Sequence, residues 1–201
     1  SYFAGKDNVC FIRCNAKMFS LAEQVVLPRI IPSCDLFWSP YMNVPFLPCK
    51  AKHRVVTLHD VFHLANPKYY SIIKRLFIKT YYYFSCKKSD LILTVSDFSK
   101  SEINKYCGIK DYNKTFRVYN GIDIDVTHVV PMDIGIDYIL FVGNVKPHKN
   151  IKNALLGFKL LDDGKLKFVI VGKKEGFITV DNEVLDIVEE LNVTSERVIF
   201  T

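Results

Sequence analysis

The sequence contains no apolar run long enough to cross a lipid bilayer, and it carries no secretory signal peptide. We therefore expect a cytoplasmic protein and leave open peripheral contact with the inner face of an anionic membrane. Two nucleotide motifs are also missing, since there is no Gly-x-Gly-x-x-Gly and no Gly-Lys-Ser/Thr P-loop. These absences disfavour dinucleotide binding and ATP hydrolysis.

Cysteine is present without a pattern that would indicate a metal or redox site. None of the six cysteines forms a Cys-x-x-Cys pair, and no cluster has the spacing of a zinc site. Cys34, Cys86 and Cys107 lie in or beside apolar runs. We therefore interpret the cysteines as free thiols in a reducing compartment.

The excess of positive charge is modest. The formal net charge is +6 and the sequence pI is about 8.9, which suits an anionic ligand or an anionic membrane face. No DNA- or RNA-binding motif accompanies it, so no nucleic-acid partner is expected. A basic nucleic-acid-binding domain is kept as an alternative, and a steep salt dependence of binding would support it.

Strand-like and helix-like segments alternate along the 201 residues, 49% of which are hydrophobic. Short apolar runs, most of them with β-branched residues, predict strands at 9–13, 35–38, 54–58, 91–95, 115–119, 138–142, 167–171 and 198–200. Helices are predicted at 21–31 (limited by Pro28 and Pro32), 69–89, 97–106, about 150–161, and after a cap at Asp181. This alternation indicates an α/β protein with parallel sheets. Residues 124–137 lose the periodicity, so we predict two domains, 1–130 and 131–201.

The longest predicted helix is both basic and aromatic. Its cations are Lys74, Arg75, Lys79, Lys87 and Lys88, with no acidic residue among them. Ile73, Phe77, Thr80 and Phe84 share one face at helical spacing, which predicts that this face is packed. We favour a helix that packs on a sheet and has a solvated basic face. An anionic membrane interface is the alternative.

Parallel α/β sheets bind ligands at the carboxyl ends of their strands. Five residues fall at or just past such ends: His59, Ser96, Asn120, Gly143 and Gly172. His59 can donate to a ligand or titrate near neutrality, or it can bond loop backbone, and position alone does not separate these roles. Capping explains Ser96, and a turn explains Asn120-Gly121.

The strongest candidate site is at residues 138–151, where a strand, a glycine, a basic loop and a helix start follow one another. Lys146, His148 and Lys149 place positive charge where a helix opens near Asn150. Free amides and the helix dipole attract phosphate at such a point. A diphosphate ligand is our first hypothesis, and an ordinary solvated loop is the alternative.

Four segments, in this order and spacing, resemble family 4 glycosyltransferases, which are retaining, nucleotide-sugar-dependent enzymes of GT-B architecture. The segments are Thr57-Leu-His-Asp60, Leu93-Thr-Val-Ser-Asp-Phe-Ser-Lys100, Val118-Tyr-Asn-Gly-Ile-Asp123 and Leu140-Phe-Val-Gly-Asn-Val-Lys-Pro-His-Lys-Asn150. Glu23-Gln-Val-Val-Leu-Pro28 and Trp38-Ser-Pro-Tyr-Met-Asn43 resemble the mannosyltransferase-like branch. The resemblance covers almost the whole chain.

The resemblance implies two Rossmann-like parallel-sheet domains, with the acceptor side in the N-terminal one and the nucleotide-sugar mainly on the C-terminal one. It implies that Lys149 binds the donor diphosphate, that Gly143 allows close backbone approach, and that His59 lies near the transferred sugar as the catalytic candidate. The remaining implied residues are Asn144, Lys146, Asn150 and Gly172 for the donor, and Asp60, Ser96, Asn120 and Gly121 along the cleft. No cofactor and no metal are expected, because positive side chains take the metal's role.

Three departures from the family pattern lead to further expectations. Asn144 stands where many relatives have arginine, and Lys146 is our candidate to compensate. The N-terminal glycine-rich loop is missing, and the Glu-x7-Glu segment that holds the donor's sugar would lie beyond Thr201. We therefore expect an incomplete chain with a truncated C-terminal domain. On its own it should bind donor poorly and turn over slowly or not at all.

The predicted function is retaining transfer of a sugar, with mannose as the leading candidate, from a nucleotide-diphosphate donor to an acceptor hydroxyl. The predicted setting is bacterial surface polysaccharide or lipopolysaccharide biosynthesis, with saccharide or lipid-linked acceptors. Two alternatives stay open: a non-catalytic GT-B-like remnant or binding module, and a nucleotide-sugar epimerase of the same fold.

Overall fold

The structure is a computed structural model, and it describes residues 5–122, 127, 130, 135–144, 146–161, 163–172, 182–193 and 196–201. The chain divides into two compact units, Ser1–Asp123 and Ile124–Thr201. Each unit is built on its own parallel sheet. The acceptor and donor roles assigned to the predicted domains 1–130 and 131–201 stay predictions.

The first unit contains a four-stranded sheet in the order β1-β2-β3-β4, and all neighbouring pairs are parallel. The strands are β1 Cys34–Ser39, β2 Ala51–Thr57, β3 Leu91–Thr94 and β4 Thr115–Arg117. Backbone pairing continues past the strand ends. The Leu58 amide donates to the Leu93 carbonyl at 2.8 Å, and the Val118 amide donates to the Thr94 carbonyl at 2.7 Å. The candidate residues after these strands therefore follow one edge of a rigid sheet.

Four α-helices accompany this sheet: α1 Leu21–Ile30, α2 Phe62–Ala65, α3 Ile72–Lys88 and α4 Asp97–Tyr106. Side chains from the helices and strands form one core, which contains Met42, Val44, Val56, Leu58, Val61, Ile78, Tyr82, Cys86, Ile92 and Ile103. Pro28 lies inside α1 instead of limiting it, which corrects the prediction. Pro28 removes one backbone hydrogen bond, the one to the Gln24 carbonyl, and only Arg29 and Ile30 follow it before α1 ends.

Helix α3 buries a different face from the predicted one. The buried side chains are Ile78, Tyr81, Tyr82, Ser85 and Cys86. Ile73 and Phe77 are exposed, and Thr80 and Phe84 are only half-buried. The prediction was wrong because apolar and aromatic residues occur on nearly every side of this helix. Helical spacing alone therefore allows more than one packed face.

The second unit contains a three-stranded parallel sheet in the order β5-β6-β7. Its strands confirm three predicted ones: β5 Tyr138–Val142, β6 Lys167–Val171 and β7 Val198–Phe200. The described residues of this unit also form helices α5 Ile151–Lys159 and α6 Asn182–Asn192, and the predicted cap Asp181 lies outside the described residues.

Apolar residues from both helices and all three strands form the second core. Its members are Ile151, Leu155, Phe158, Phe168, Ile170, Val184, Ile187, Val188, Leu191 and Val198, with Phe141 and Phe200 packed against them. Ion pairs between Lys152 and Glu183 and between Lys159 and Glu190 join α5 to α6 on the surface. Ile151, the first residue of α5, is buried in this core, which fixes the start of the helix against the body of this unit.

Two predicted local structures do not form. Residues 9–13 are not a strand, and Phe11 and Ile12 are exposed. A short apolar run becomes a strand only when a neighbour pairs with it, and β1 pairs only with β2 in the described sheet. Asn120-Gly121 is not a turn either, and neither residue has the positive φ that an Asn-Gly hairpin turn needs. β4, just before it, pairs in parallel with β3, and the next described strand along the chain, β5, belongs to the other sheet, so no hairpin closes here.

Within the described residues, no helix combines the length and the apolar character needed to span a membrane. All six cysteines are free thiols.

Candidate functional site

The first cluster of candidate residues lies where β2 ends. His59 and Asp60 are both exposed there. Asp60 is fixed by two hydrogen bonds: its Oδ1 accepts from the Phe62 amide at 2.9 Å, and its carbonyl accepts from the Tyr82 hydroxyl at 3.1 Å. Burial, aided by the nearby Asp60 charge, raises the pKa of Tyr82, so this hydroxyl stays protonated as a donor. The loop that carries His59 is therefore held in place by backbone and side-chain contacts.

A small cavity of about 80 Å³ lies beside His59. Its lining contains Tyr41, Met42, Leu58, His59, Asp60, His63 and Tyr82. His63 was not predicted as a site residue, although the His59-x-x-x-His63 spacing is visible in the sequence. Its Nδ1 is buried and has no hydrogen-bond partner in the described part of the chain. Burial lowers the pKa of His63, with Asp60 opposing that shift and Lys74 adding to it, so the ring favours its neutral form.

A larger cavity of about 280 Å³ connects the ends of β2 and β3. It is lined by Asp60, Val61, Phe62, Ala65, Asn66, Phe98, Ser99 and Glu102. Two carboxylates can accept hydrogen bonds from ligand hydroxyls, and two aromatic rings offer apolar faces. Phe98 and Glu102 were missed because they lie within α4, where the sequence shows only a polar helix.

Ser96 is placed as a helix cap. Its Oγ accepts from the Ser99 amide at 3.0 Å and donates to the Ser99 Oγ at 3.0 Å. Asn120 and Gly121 are exposed beyond β4 and line neither cavity. The structure therefore brings His59 and Asp60 together and leaves the other first-unit candidates apart from them.

Replacing Ser96 with alanine should lower the free energy of unfolding by about 1 kcal/mol, because α4 loses its N-cap. Chemical denaturation measures this loss, and binding of a ligand near His59 should be unchanged. Ser101→Ala is the matched control, since Ser101 is an exposed serine in the same helix that only bonds the Phe98 carbonyl. Unaltered unfolding combined with weakened ligand binding would instead assign Ser96 to the site.

The two upstream segments, Glu23–Pro28 and Trp38–Asn43, meet in the fold. The buried Glu23 carboxylate accepts from the Phe19 amide at 2.7 Å and from Asn43 Nδ2 at 3.2 Å. The indole of Trp38 donates to Thr57 Oγ1 at 3.0 Å, which fixes its ring beside β2. A cavity of about 680 Å³ lies against these residues, mostly apolar in its lining. Segments far apart in sequence thus build one concave surface.

In the second unit, two glycines touch at the ends of β5 and β6. Gly143 has φ +145°, in the region that favours glycine, and its amide donates to the Val171 carbonyl at 2.9 Å. A Cβ on Gly172 would lie only 2.3 Å from the Gly143 carbonyl oxygen. Both positions therefore require glycine for reasons of backbone conformation and close approach.

The basic loop after Gly143 leads directly into α5. Its 3-10 turn, Pro147–Lys149, is closed by the Lys149 amide, which donates to the Lys146 carbonyl at 2.8 Å. Asn150 has φ 55° and ψ 32° and gives α5 no side-chain cap, because its Oδ1 accepts from Asn153 Nδ2 at 2.9 Å. The Lys146 and Lys149 side chains are exposed, as is Asn144.

An uncapped helix start beside exposed lysines and close-packed glycines can bind an anion. The Asn150 side chain makes no capping hydrogen bond to α5, and the helix dipole favours negative charge at this end. The donor-binding roles of Gly143, Asn144, Lys146, Lys149, Asn150 and Gly172 stay predictions. No group of three His, Cys, Asp or Glu side chains that could hold a metal occurs in the part of the chain that the structure describes.

Solved structures identify the fold. The crystal structure of TarM matches 90% of this chain and 35% of its own, with a TM-score of 0.61 at 16% identity. The crystal structure of Anabaena Alr3699/HepE in complex with UDP-glucose matches 83% of this chain and 48% of its own, with a TM-score of 0.58 at 16% identity. Two parallel-sheet units with these neighbours define a GT-B type α/β fold, as predicted.

The family is shown by the sequence itself. A model of Glycosyltransferase Family 4 matches residues 19–126, which is more than half of the chain. The chain belongs to this family, so the predicted resemblance is confirmed.

Two curated relatives are both described as mannosyltransferases. The O-antigen chain mannosyltransferase RfbU of Salmonella typhimurium is 26% identical over 154 residues, or 76% of this chain. The O-antigen chain mannosyltransferase B of Escherichia coli is 28% identical over 125 residues, or 58% of this chain. The matches cover 40% and 33% of those two proteins, so the chain spans less than half of their length.

Proposed function

We propose that the protein transfers a hexose, with mannose as the leading candidate, from a nucleotide-diphosphate donor to an acceptor hydroxyl with retention of configuration. The observation that carries this proposal is the uncapped start of α5, which follows the Gly143 backbone and the exposed Lys149. Family membership and the mannosyltransferase relatives support the reaction class and the sugar.

The chemical task of the second unit is to stabilise a leaving diphosphate. The bond between the sugar's anomeric carbon and the diphosphate oxygen breaks, and the electron pair leaves with that oxygen. Negative charge therefore grows on the diphosphate in the transition state. We assign the binding of this charge to Lys149 and the α5 amides. Preorganised donors of this kind make the largest single contribution to the rate enhancement of many enzymes. Positive side chains take the part that a metal plays elsewhere, so we propose a metal-free reaction.

The first unit is proposed to hold the acceptor and the transferred sugar. His59 is exposed on a loop fixed by Asp60 and Tyr82, so its ring can donate a hydrogen bond to a sugar hydroxyl. The neighbouring cavity offers Asp60 and Glu102 as acceptors for hydroxyl groups and Phe98 as an apolar face. This combination suits a saccharide. The acceptor hydroxyl attacks the anomeric carbon from the face that the diphosphate leaves, and its proton passes to the departing diphosphate oxygen, which carries the electron pair of the broken bond.

The proposed setting is assembly of a bacterial surface polysaccharide or lipopolysaccharide. Both curated relatives are described as O-antigen chain mannosyltransferases. The acceptor is then a saccharide that is lipid-linked, and the protein works in the cytoplasm at the inner face of the membrane. No nucleic-acid partner is proposed. An epimerase of the same fold is the second candidate, because it would use the same diphosphate site without an acceptor.

A donor and product assay on the full-length protein tests this function. Thermal shifts are measured with UDP-, GDP- and ADP-sugars, and the donor that raises the melting temperature is then incubated with a lipid-linked saccharide. We expect one nucleotide to stabilise the protein and the product linkage to keep the donor's anomeric configuration. A changed sugar without acceptor would indicate epimerisation, and no shift with any donor would indicate a non-catalytic protein.

A further inference from the structure

The first two turns of α3 present aliphatic and aromatic side chains to solvent. Ile72 is 81% exposed, Ile73 84%, Leu76 68% and Phe77 43%. We call these four residues the α3 patch. Single exposed apolar side chains are ordinary on a protein surface, but four at adjacent positions form a contiguous surface that usually marks an interaction site.

Helix geometry places the α3 patch away from the core. Positions i, i+1, i+4 and i+5 form one stripe along an α-helix. The buried residues Ile78, Tyr82 and Cys86 lie on the opposite side of the same helix. Every residue from 71 to 77 is exposed, so this end of α3 stands clear of the first unit's core.

The segment that carries the α3 patch is positively charged along its length. Residues 61–89 hold five lysines and one arginine and no acidic residue, so their formal charge of +6 equals that of the entire chain. Within the described residues, none of these six cations forms an ion pair. Lys68 and Lys74 lie over the rings of Tyr69 and Tyr70, 5.3 and 5.0 Å from the ring centroids.

We propose that the α3 patch docks on an anionic phospholipid bilayer. Its apolar side chains enter the boundary between headgroups and acyl chains, while Lys74, Arg75 and Lys79 bind lipid phosphates. An interfacial helix has this composition, with an apolar face, flanking cations and no acid. Local charge complementarity favours an anionic surface over an uncharged one. The role of this contact in bringing the protein to a lipid-linked acceptor rests on the proposed function. The binding of the α3 patch to anionic lipid does not.

Vesicle co-sedimentation of the full-length protein, without donor or acceptor, tests the proposal. We expect binding to vesicles of 70% phosphatidylcholine and 30% phosphatidylglycerol, and at least tenfold weaker binding to pure phosphatidylcholine. The Ile73→Ser/Leu76→Ser variant should bind the anionic vesicles at least tenfold more weakly. Leu160→Ser/Val193→Ser is the matched control, since those residues are 85% and 78% exposed in the second unit. It should bind like the unmodified protein.

A second experiment tests whether vesicle binding requires the positive charge of α3. It compares the Lys74→Glu/Arg75→Glu variant with the control Lys17→Glu/Lys110→Glu, which replaces two exposed lysines outside α3. Only the first pair should abolish binding at low salt. All replaced side chains in the α3 variants are exposed, so their melting temperatures should match that of the unmodified protein.

The proposal is overturned if the α3 variants bind anionic vesicles normally. It is equally overturned if the protein does not bind vesicles and sedimentation velocity shows that the α3 patch joins two copies of the chain. Loss of transfer with intact vesicle binding would count against the proposed function alone.

Discussion

Replacing Lys149 with alanine should lower kcat/KM for the nucleotide-sugar donor about 10- to 150-fold in the full-length protein. That range corresponds to the ~1.5–3 kcal/mol that a charge-assisted hydrogen bond contributes when water is excluded. The loss should fall on kcat as well as on donor affinity, because negative charge grows on the diphosphate as the sugar leaves. Steady-state kinetics with a saturating acceptor, together with donor titration by calorimetry, separates the two.

Lys165→Ala is the control for this experiment. Lys165 is an exposed lysine of the same unit, in the loop that precedes β6. It should leave kcat/KM within about twofold of the unmodified protein. Lys149→Arg should recover part of the activity, since it restores the charge with a different shape. If Lys149→Ala binds donor and turns over normally, the role assigned to this lysine is wrong.

Adding one methyl group at Gly172 should destabilise the protein by about 2–4 kcal/mol. The new Cβ would lie 2.3 Å from the carbonyl oxygen and 3.2 Å from the carbonyl carbon of Gly143. Neither backbone moves freely, because the Gly143 amide is bonded to the Val171 carbonyl at 2.9 Å. Overpacking of this kind costs about 1–3 kcal/mol, and loss of the hydrogen bond adds about 1 kcal/mol. Guanidinium unfolding of Gly172→Ala measures the effect.

Gly157→Ala is the matched control and should act in the opposite direction. Gly157 lies within α5, and nothing stands within 4 Å of the place where its Cβ would be. Alanine there should stabilise the helix by about 0.5–1 kcal/mol. If Gly172→Ala unfolds at the same denaturant concentration as the unmodified protein, the close approach of the two strand ends is not as described.

The sequence contained enough information for the strands of both sheets, because each contains a short run of β-branched, aromatic or leucine residues bounded by polar residues or glycine. The strand at 167–171 is an example, since Gly172 ends it and no helical spacing competes with it. The family could be predicted because four separate segments agreed in order and spacing. Such local sequence patterns can be recognised without knowledge of the tertiary structure.

Properties decided by tertiary contacts could not be predicted. Ile73 and Phe77 have the same spacing as a packed helix face, but the sheet accepts Ile78 and Tyr82 instead. The apolar run at 9–13 has strand composition but no partner strand in the described sheet. Both errors arise because hydrophobicity shows what can be buried, whereas neighbours decide what is buried.

The same limit applies to the candidate site. Glycine at position 172 is required by the carbonyl of Gly143, which is far away in sequence. His63 was overlooked because its interest comes from a buried nitrogen without a partner, which no sequence pattern shows. The basic loop, in contrast, could be found from sequence, since its lysines and the helix start are neighbours along the chain.

A crystal structure of the full-length protein with its nucleotide-sugar bound is the most direct measurement of where the donor diphosphate lies. We predict phosphate oxygens within hydrogen-bonding distance of the Ile151 and Lys152 amides and of Lys149 Nζ, with the Gly143 backbone alongside. A bound donor whose diphosphate lies elsewhere, with Lys149 extended into solvent, would contradict it.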